Sequence, residues 1–218
     1  MENEYGAVIT AAGLSSRMGE FKPLKLLNGA PLIEHVINRF LKAGVREIAV
    51  ITGYRAEDLK KIRPSEEIVF LHNSEYRNND MFASVRLGLE YFRDRCGRVF
   101  ITPSDVPLFR VSTLFEEMKT DAPVVIPEYC GRGGHPVLTD SGAIGTLLSF
   151  NGGNGLKGAF SSLKPGSVVQ LPVDDPGCVM DADTREDFEM LRHLTVTDQE
   201  RTRPMRAYLR YRKDVASQ

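Results

Sequence analysis

Six short apolar runs, each set apart from the next by a stretch of different spacing, restrict this chain more than any other feature. Ala7 to Ile9, Glu47 to Thr52, Ile68 to Leu71, Arg98 to Thr102, Val124 to Pro127 and Val168 to Leu171 read as strands. Between the first two, Ile33, Val36, Ile37, Phe40 and Leu41 fall on one helical face, with Pro31 near its start and Gly44 just past its end. Further helices are expected through Leu59 and Ile62, on the face of Phe82, Val85, Leu89 and Phe92, around Leu114, Phe115 and Met118, and over Arg185 to Leu194. Strand, helix and strand in this order imply right-handed crossovers and parallel pairing. The expected fold class is α/β and Rossmann-like, an open, mostly parallel sheet with helices on both faces. Ligands of such sheets bind beyond the C-terminal ends of the strands.

The chain that leaves the first strand suits that place. Val8 to Lys25, V-I-T-A-A-G-L-S-S-R-M-G-E-F-K-P-L-K, supplies two glycines, two serines and three cations without helical spacing. Gly13 and Gly19 permit backbone conformations or close approaches that a side chain would block, so main-chain N–H groups can face phosphate oxygens. Arg17 can grip such oxygens bidentately, and Lys22 can place a point charge beside them. The same residues could also form an ordinary strand-to-helix loop with solvated cations. Spacing rules out two well-known phosphate loops: five residues separate Gly13 from Gly19 and Glu20 follows, unlike a P-loop, and this loop contains no Gly-x-Gly-x-x-Gly.

With 218 residues, 42% of them hydrophobic and 26% charged, the chain can build one large α/β domain or two small ones. Its net charge of −1 gives no general attraction to nucleic acid or to an anionic membrane, so any polyanion site has to be local. Met1-Glu2-Asn3-Glu4 is unlike a secretory signal, and no apolar run approaches the ~20 residues of a membrane span. Cys96, Cys130 and Cys178 include no Cys-x-x-Cys pair and read as reduced thiols of a cytoplasmic protein. From Gly131 to Gly158 glycine occupies nine positions, which suggests an insertion or lobe over the sheet edge. One domain is expected over residues 1–194. Residues 195–218 form a basic tail, a solvated terminal helix or the start of a linker, in which Met205, Tyr208, Leu209 and Arg212 would share a helical face.

Three further stretches can carry chemistry. Thr102 to Leu108, T-P-S-D-V-P-L, puts Asp105 at a strand end beside the first loop, where a carboxylate can hold Mg²⁺ against nucleotide phosphates or simply cap the turn before Pro107. Asp181-Ala182-Asp183-Thr184 precedes the last helix, which Asp183 or Thr184 could cap; one cap leaves a second carboxylate unexplained. In H-N-S-E-Y-R-N-N-D-M-F-A-S-V, Ser84 could help to fix a helix start. No metal-ligand histidine spacing and no paired nucleophile and base occur, so hydrolysis through a covalent intermediate has no support.

Ala11-Ala12-Gly13-Leu14-Ser15-Ser16-Arg17-Met18-Gly19, followed by Lys22, resembles the signature loop of the MobA-like nucleotidyltransferases related to the molybdenum cofactor enzymes. The resemblance implies a fold like that of the nucleotide-diphospho-sugar transferases, with this loop around a triphosphate. It implies nucleotide contacts from Ala11, Ala12, Gly13, Leu14, Ser15, Arg17, Met18, Gly19, Lys22, Asn73, Met81, Ser84 and Asp105, and catalytic roles for Arg17, Lys22 and Asp105. Mg²⁺ is implied on Asp105 and Asp183, with Asp181 the alternative to the latter. Asp80 stands where glycine is usual in the family before the Met. Gly134-His135-Pro136 is similar to an element of the cytidylyltransferase branch, which makes His135 a candidate contact for an acceptor's phosphate or pterin. Thr10-Ala11-Ala12-Gly13 is also like the cytidylyl-transferring members, whereas the guanylyl-transferring ones resemble Leu-Ala-Gly-Gly, so CTP is expected over GTP. The implied activity is transfer of CMP from CTP to molybdenum cofactor (molybdopterin) with release of pyrophosphate, the partner being a molybdoenzyme or its chaperone rather than nucleic acid or membrane. Another phosphorylated metabolite or a sugar phosphate as acceptor, or a regulator that binds nucleotide without reacting, remains open.

Overall fold

The computed structural model describes residues 3–14, 20–62, 68–77 and 80–196. In chain order these form β1 (Asn3–Ala11), a 3-10 turn (Lys22–Leu24), the short strands β2 (Leu26–Leu27) and β3 (Ala30–Pro31), α1 (Leu32–Lys42), β4 (Glu47–Thr52), α2 (Ala56–Lys60), β5 (Ile68–His72), α3 (Met81–Phe92) and β6 (Cys96–Pro103). There follow α4 (Val111–Lys119), β7 (Val124–Tyr129), β8 (Arg132–Gly133), β9 (Val137–Asp140), α5 (Ser141–Ser149), α6 (Gly155–Ser161), β10 (Val168–Pro172), a second 3-10 turn (Pro176–Val179) and α7 (Arg185–Val196). Every strand and helix expected within the described residues is present. Ser15 to Gly19 in the first loop, and the basic tail from residue 197, lie outside the described residues.

The main sheet runs β10-β7-β9-β6-β1-β4-β5, with β8 paired to β7 as an eighth strand. Its ladders along that order are parallel except those of β9, which is antiparallel to both neighbours. Side chains alternate across β1: Ala7 and Ile9 join the cluster that includes Phe40 of α1, Leu114 of α4 and Phe188 of α7, while Val8 joins Val85 and Leu89 of α3 and Leu147 of α5. Ile48 and Val50 of β4 repeat the first direction and Ala49 and Ile51 the second. This two-faced burial is why the strands read as nearly continuous apolar runs, and it gives the expected Rossmann-like α/β fold with helices on both faces. Among the described residues no helix is long and apolar enough to cross a membrane.

One expectation fails. The glycine-rich stretch from Gly131 to Gly158 is not a lobe over the sheet edge but supplies β9, threaded between β6 and β7 with Arg98 opposite Asp140 and Ile101 opposite Val137. Four residues after a proline are too few for alternation to stand out from the flanking glycines; pairing on both edges, rather than propensity, makes the strand. The helix expected around Leu114, Phe115 and Met118 is α4, on which Leu114 and Glu117, three residues apart, point inward and Phe115 is exposed.

β1 pairs with β4 on one side and β6 on the other, so the chain runs outward through β4 and β5 before returning across β1 to β6. The C-terminal ends of β1 and β6 therefore form the topological switch point, the place where open α/β sheets leave a crevice for ligands. Ser104 N–H donates to the Thr10 carbonyl there at 3.0 Å.

Candidate active site

A cavity of about 360 Å³ opens at that crevice. Thr10 to Leu14, Lys22, Met81, Ser84, Asp105 and Asp183 line it, together with Tyr76, Asp80 and Ser104. Ala11, Ala12, Gly13, Leu14, Lys22, Met81, Ser84 and Asp105 of the expected nucleotide set thus converge, while Ser15, Arg17, Met18 and Gly19 lie outside the described residues. Asn73 does not line the cavity: it is buried behind it, its Nδ2 donating to Ser84 Oγ at 3.0 Å and its Oδ1 accepting from Glu75 N–H. Gly13 lines the cavity with its Cβ position clear of other protein atoms, so the close approach expected there concerns a ligand rather than the chain itself. Gly53 is the glycine packing demands, because a Cβ there would stand 2.6 Å from Tyr76 Cβ and 2.8 Å from the Ala12 carbonyl.

The charge centre lies where this cavity is deepest in carboxylates. Lys22 Nζ is 3.2 Å from Asp105 Oδ2 and 2.6 Å from Asp183 Oδ1, across 83 and 161 residues of sequence. Burial pushes the Asp105 carboxyl above its ordinary value; Lys22 opposes the shift, and Asp181 and Asp183 add to it. Local structure explains the convergence. The Ala182 N–H donates to the Asp105 carbonyl at 2.9 Å, which clamps the Asp181 to Asp183 segment to the end of β6. Thr184, not Asp183, caps α7: its Oγ1 accepts from Asp187 N–H, and Asp187 Oδ2 accepts from Thr184 N–H in return. Likewise Asp80, not Ser84, fixes the start of α3, its Oδ1 accepting from Ala83 N–H at 3.1 Å.

Two hard carboxylates around one cation are a donor set that suits a magnesium-type ion, whose remaining ligands are water and substrate phosphate. The Lys22 ammonium already holds positive charge in that place, so the residues fit such an ion. Among the described residues no three His, Cys, Asp or Glu side chains gather to hold a metal by themselves.

A second cavity of about 320 Å³ adjoins the first and shares Met81, Pro103, Asp105 and Asp183 with it. Arg132, Gly133, Gly134, His135, Cys178 and Asp181 are among its other walls. The His135 N–H donates to the Cys178 carbonyl at 2.7 Å. Its ring bonds the Ile101 backbone, Nδ1 is shielded from solvent and unpartnered, and burial holds the imidazole below its ordinary pKa. Arg132 carried no signal in the sequence: it sits in a two-residue strand, where periodicity cannot mark it.

A family profile described as the MobA-like NTP transferase domain matches residues 7–167, from β1 almost to β10. The chain belongs to this family. It is therefore a nucleotidyltransferase of the MobA-like kind. A molybdenum cofactor cytidylyltransferase of Escherichia coli (strain K12) is 25% identical over 185 residues, 83% of this chain and 92% of that protein. A 2-aminoethylphosphonate cytidylyltransferase of Lancefieldella rimae is 35% identical over 108 residues, covering 46% of this chain and 42% of that one. The solved structure of Rv0371C from Mycobacterium tuberculosis H37Rv in complex with manganese has a TM-score of 0.71 at 21% identity, over 88% of this chain and 100% of that chain, a likeness of fold.

Proposed function

We propose that this nucleotidyltransferase moves CMP from CTP to a phosphorylated acceptor, molybdopterin being the favoured one, and releases pyrophosphate. One observation carries the reading: two cavities meet at Asp105 and Asp183 with Lys22 between them, so a nucleotide and an acceptor can be held on either side of one charge centre. Similarity to the E. coli cytidylyltransferase over most of both chains supports the choice of acceptor. The 35% local identity to a cytidylyltransferase for 2-aminoethylphosphonate supports a second reading, CMP transfer to a small phosphonate or phosphate. A regulator that only bound nucleotide would have no use for two converging carboxylates.

In this reading an ionised acceptor oxygen attacks the α-phosphorus in line; the new P–O bond forms as the bond to the β-phosphate oxygen breaks, and pyrophosphate leaves with the electron pair. No proton has to be removed from an ionised phosphate, so a general base is not required, and the work is positioning and charge neutralisation. Asp105 and Asp183 would hold a divalent cation, Mg²⁺ in our reading, which when bound neutralises charge on the phosphates. Lys22 adds a fixed ammonium at the same point, and the main chain from Ala12 to Leu14 lines the side from which the triphosphate enters. The Ala12 methyl narrows the cavity, which disfavours a purine; one methyl is worth only ~1–3 kcal/mol of discrimination.

Incubation with each of four labelled nucleoside triphosphates, Mg²⁺ and molybdopterin, reading pyrophosphate and the labelled product, tests the proposal. CTP should give the highest kcat/KM, and Ala12→Gly should relax the preference over GTP without inverting it. A wild-type preference for GTP sinks the cytidylyl assignment, and product formed only with 2-aminoethylphosphonate favours the second acceptor.

A further inference from the structure

We propose that Arg132 anchors the anionic group of the acceptor, which makes the second cavity a site for phosphomonoester or phosphonate dianions; the inference rests on the nucleotidyl-transfer reading above. Among the described residues lining that cavity Arg132 is the only lysine or arginine, and it shares the walls with Asp105, Asp181 and Asp183. Its side chain forms no hydrogen bond or ion pair with any described residue, whereas Lys22 at the cavity junction is engaged by two carboxylates. A dianion entering beside Asp105, Asp181 and Asp183 meets like charge, and a planar guanidinium can grip two phosphate oxygens at once.

The mounting of Arg132 supports the assignment. β8 is paired to β7, with Arg132 opposite Tyr129 and Gly133 opposite Glu128. The Gly134 N–H donates to the Pro127 carbonyl and the His135 N–H to the Cys178 carbonyl, both at 2.7 Å. The backbone that carries the guanidinium is thus pinned on two sides, while its side chain is half-buried and has no partner among the described residues. His135 does not supply this charge, because its ring is already bonded to the Ile101 backbone and its Nδ1 is shielded.

Calorimetric titration of phenyl phosphate into protein saturated with Mg²⁺ and the α,β-methylene analogue of CTP tests this. Wild type should bind phenyl phosphate, Arg132→Ala should bind it about tenfold more weakly or worse, and Arg132→Lys should fall between. Affinity for the CTP analogue should be the same in all three proteins, which also shows that the variants fold. Equal binding of phenyl phosphate by wild type and Arg132→Ala overturns the inference, and so does a wild type that binds the analogue but not phenyl phosphate. Failure of the wild type to bind the analogue at all overturns the nucleotidyl-transfer reading, and this inference with it.

Discussion

Lys22 and Lys25 are two residues apart from being neighbours, yet packing gives them unrelated work. Lys22 lies between Asp105 and Asp183 in the cavity wall, whereas the Lys25 ammonium pairs with Glu20 at 3.2 Å, stands 4.3 Å over the Phe188 ring and lines neither cavity. Lys22→Ala should lower kcat by roughly 100-fold, the order seen when one preorganised charge donor is lost. It should also enlarge the rise in melting temperature on adding Mg²⁺, because two carboxylates lose their resident cation. Lys25→Ala should lower the melting temperature while leaving kcat/KM close to wild type; equal loss of activity in the two variants would mean that the catalytic cation has been misplaced. Asp105→Ala should abolish turnover and leave the circular dichroism spectrum unchanged, since it removes a carboxylate from a strand end and no apolar packing; activity near wild type would remove it from the metal site. These side chains were legible because the first loop and the T-P-S-D-V-P-L stretch present them at ordered spacings. The positioning of Ser84 by Asn73 was not, since it arises from a turn folding back on β4.

At the scale of elements, the strands and helices buried on both faces declare themselves through hydrophobic spacing, and β4, β5 and α7 run close to where the sequence puts them. Spacing fails where identity comes from a neighbour. β9 is a strand because β6 and β7 flank it, and Asp183 reaches Lys22 because Thr184 takes over the cap of α7. The same dependence makes the turn between β8 and β9 the most sensitive joint near the second cavity. A Cβ on Gly134 would stand 2.4 Å from the Cys178 carbonyl oxygen, so Gly134→Ala must push apart β8 and the turn that leads to Asp181 and Asp183. Overpacking of this kind costs roughly 1–3 kcal/mol. Thermal unfolding should show that loss, with kcat reduced and affinity for nucleotide retained. Gly133→Ala is the contrast: its Cβ would meet the ends of the Ile126 and Gln170 side chains at 3.2 and 3.3 Å, which can yield. Equal stability of the two variants would show that the joint tolerates displacement.

The whole molecule is a sheet between two helical layers, and its least expected feature is a carboxyl inside one of them. Glu117 of α4 is fully buried with neither oxygen bonded, and burial pushes its pKa well above the ordinary 4.5; Arg98 opposes the shift, and Asp175 and Glu116 add to it. Asp175 beside it is equally deep but satisfied, accepting from Arg110 N–H, Thr113 Oγ1 and Gly177 N–H, so it ties α4 to the 3-10 turn that leads to the site carboxylates. Below pH 4.5 Glu117 is protonated in both the folded and the unfolded chain and affects stability little. As pH rises further the unfolded chain releases the proton and the folded chain keeps it, so stability falls by ~1.4 kcal/mol per pH unit until the raised folded value is reached. Glu117→Gln keeps the shape of the protonated side chain and removes that penalty. Melting temperatures of wild type and Glu117→Gln should nearly coincide at pH 4.5 and diverge as pH rises above it, with the variant the more stable. A gap that does not grow with pH would mean that Arg98, close enough to oppose the shift, moves to pair with Glu117 once it ionises, and that the layer holds an ion pair rather than a neutral acid.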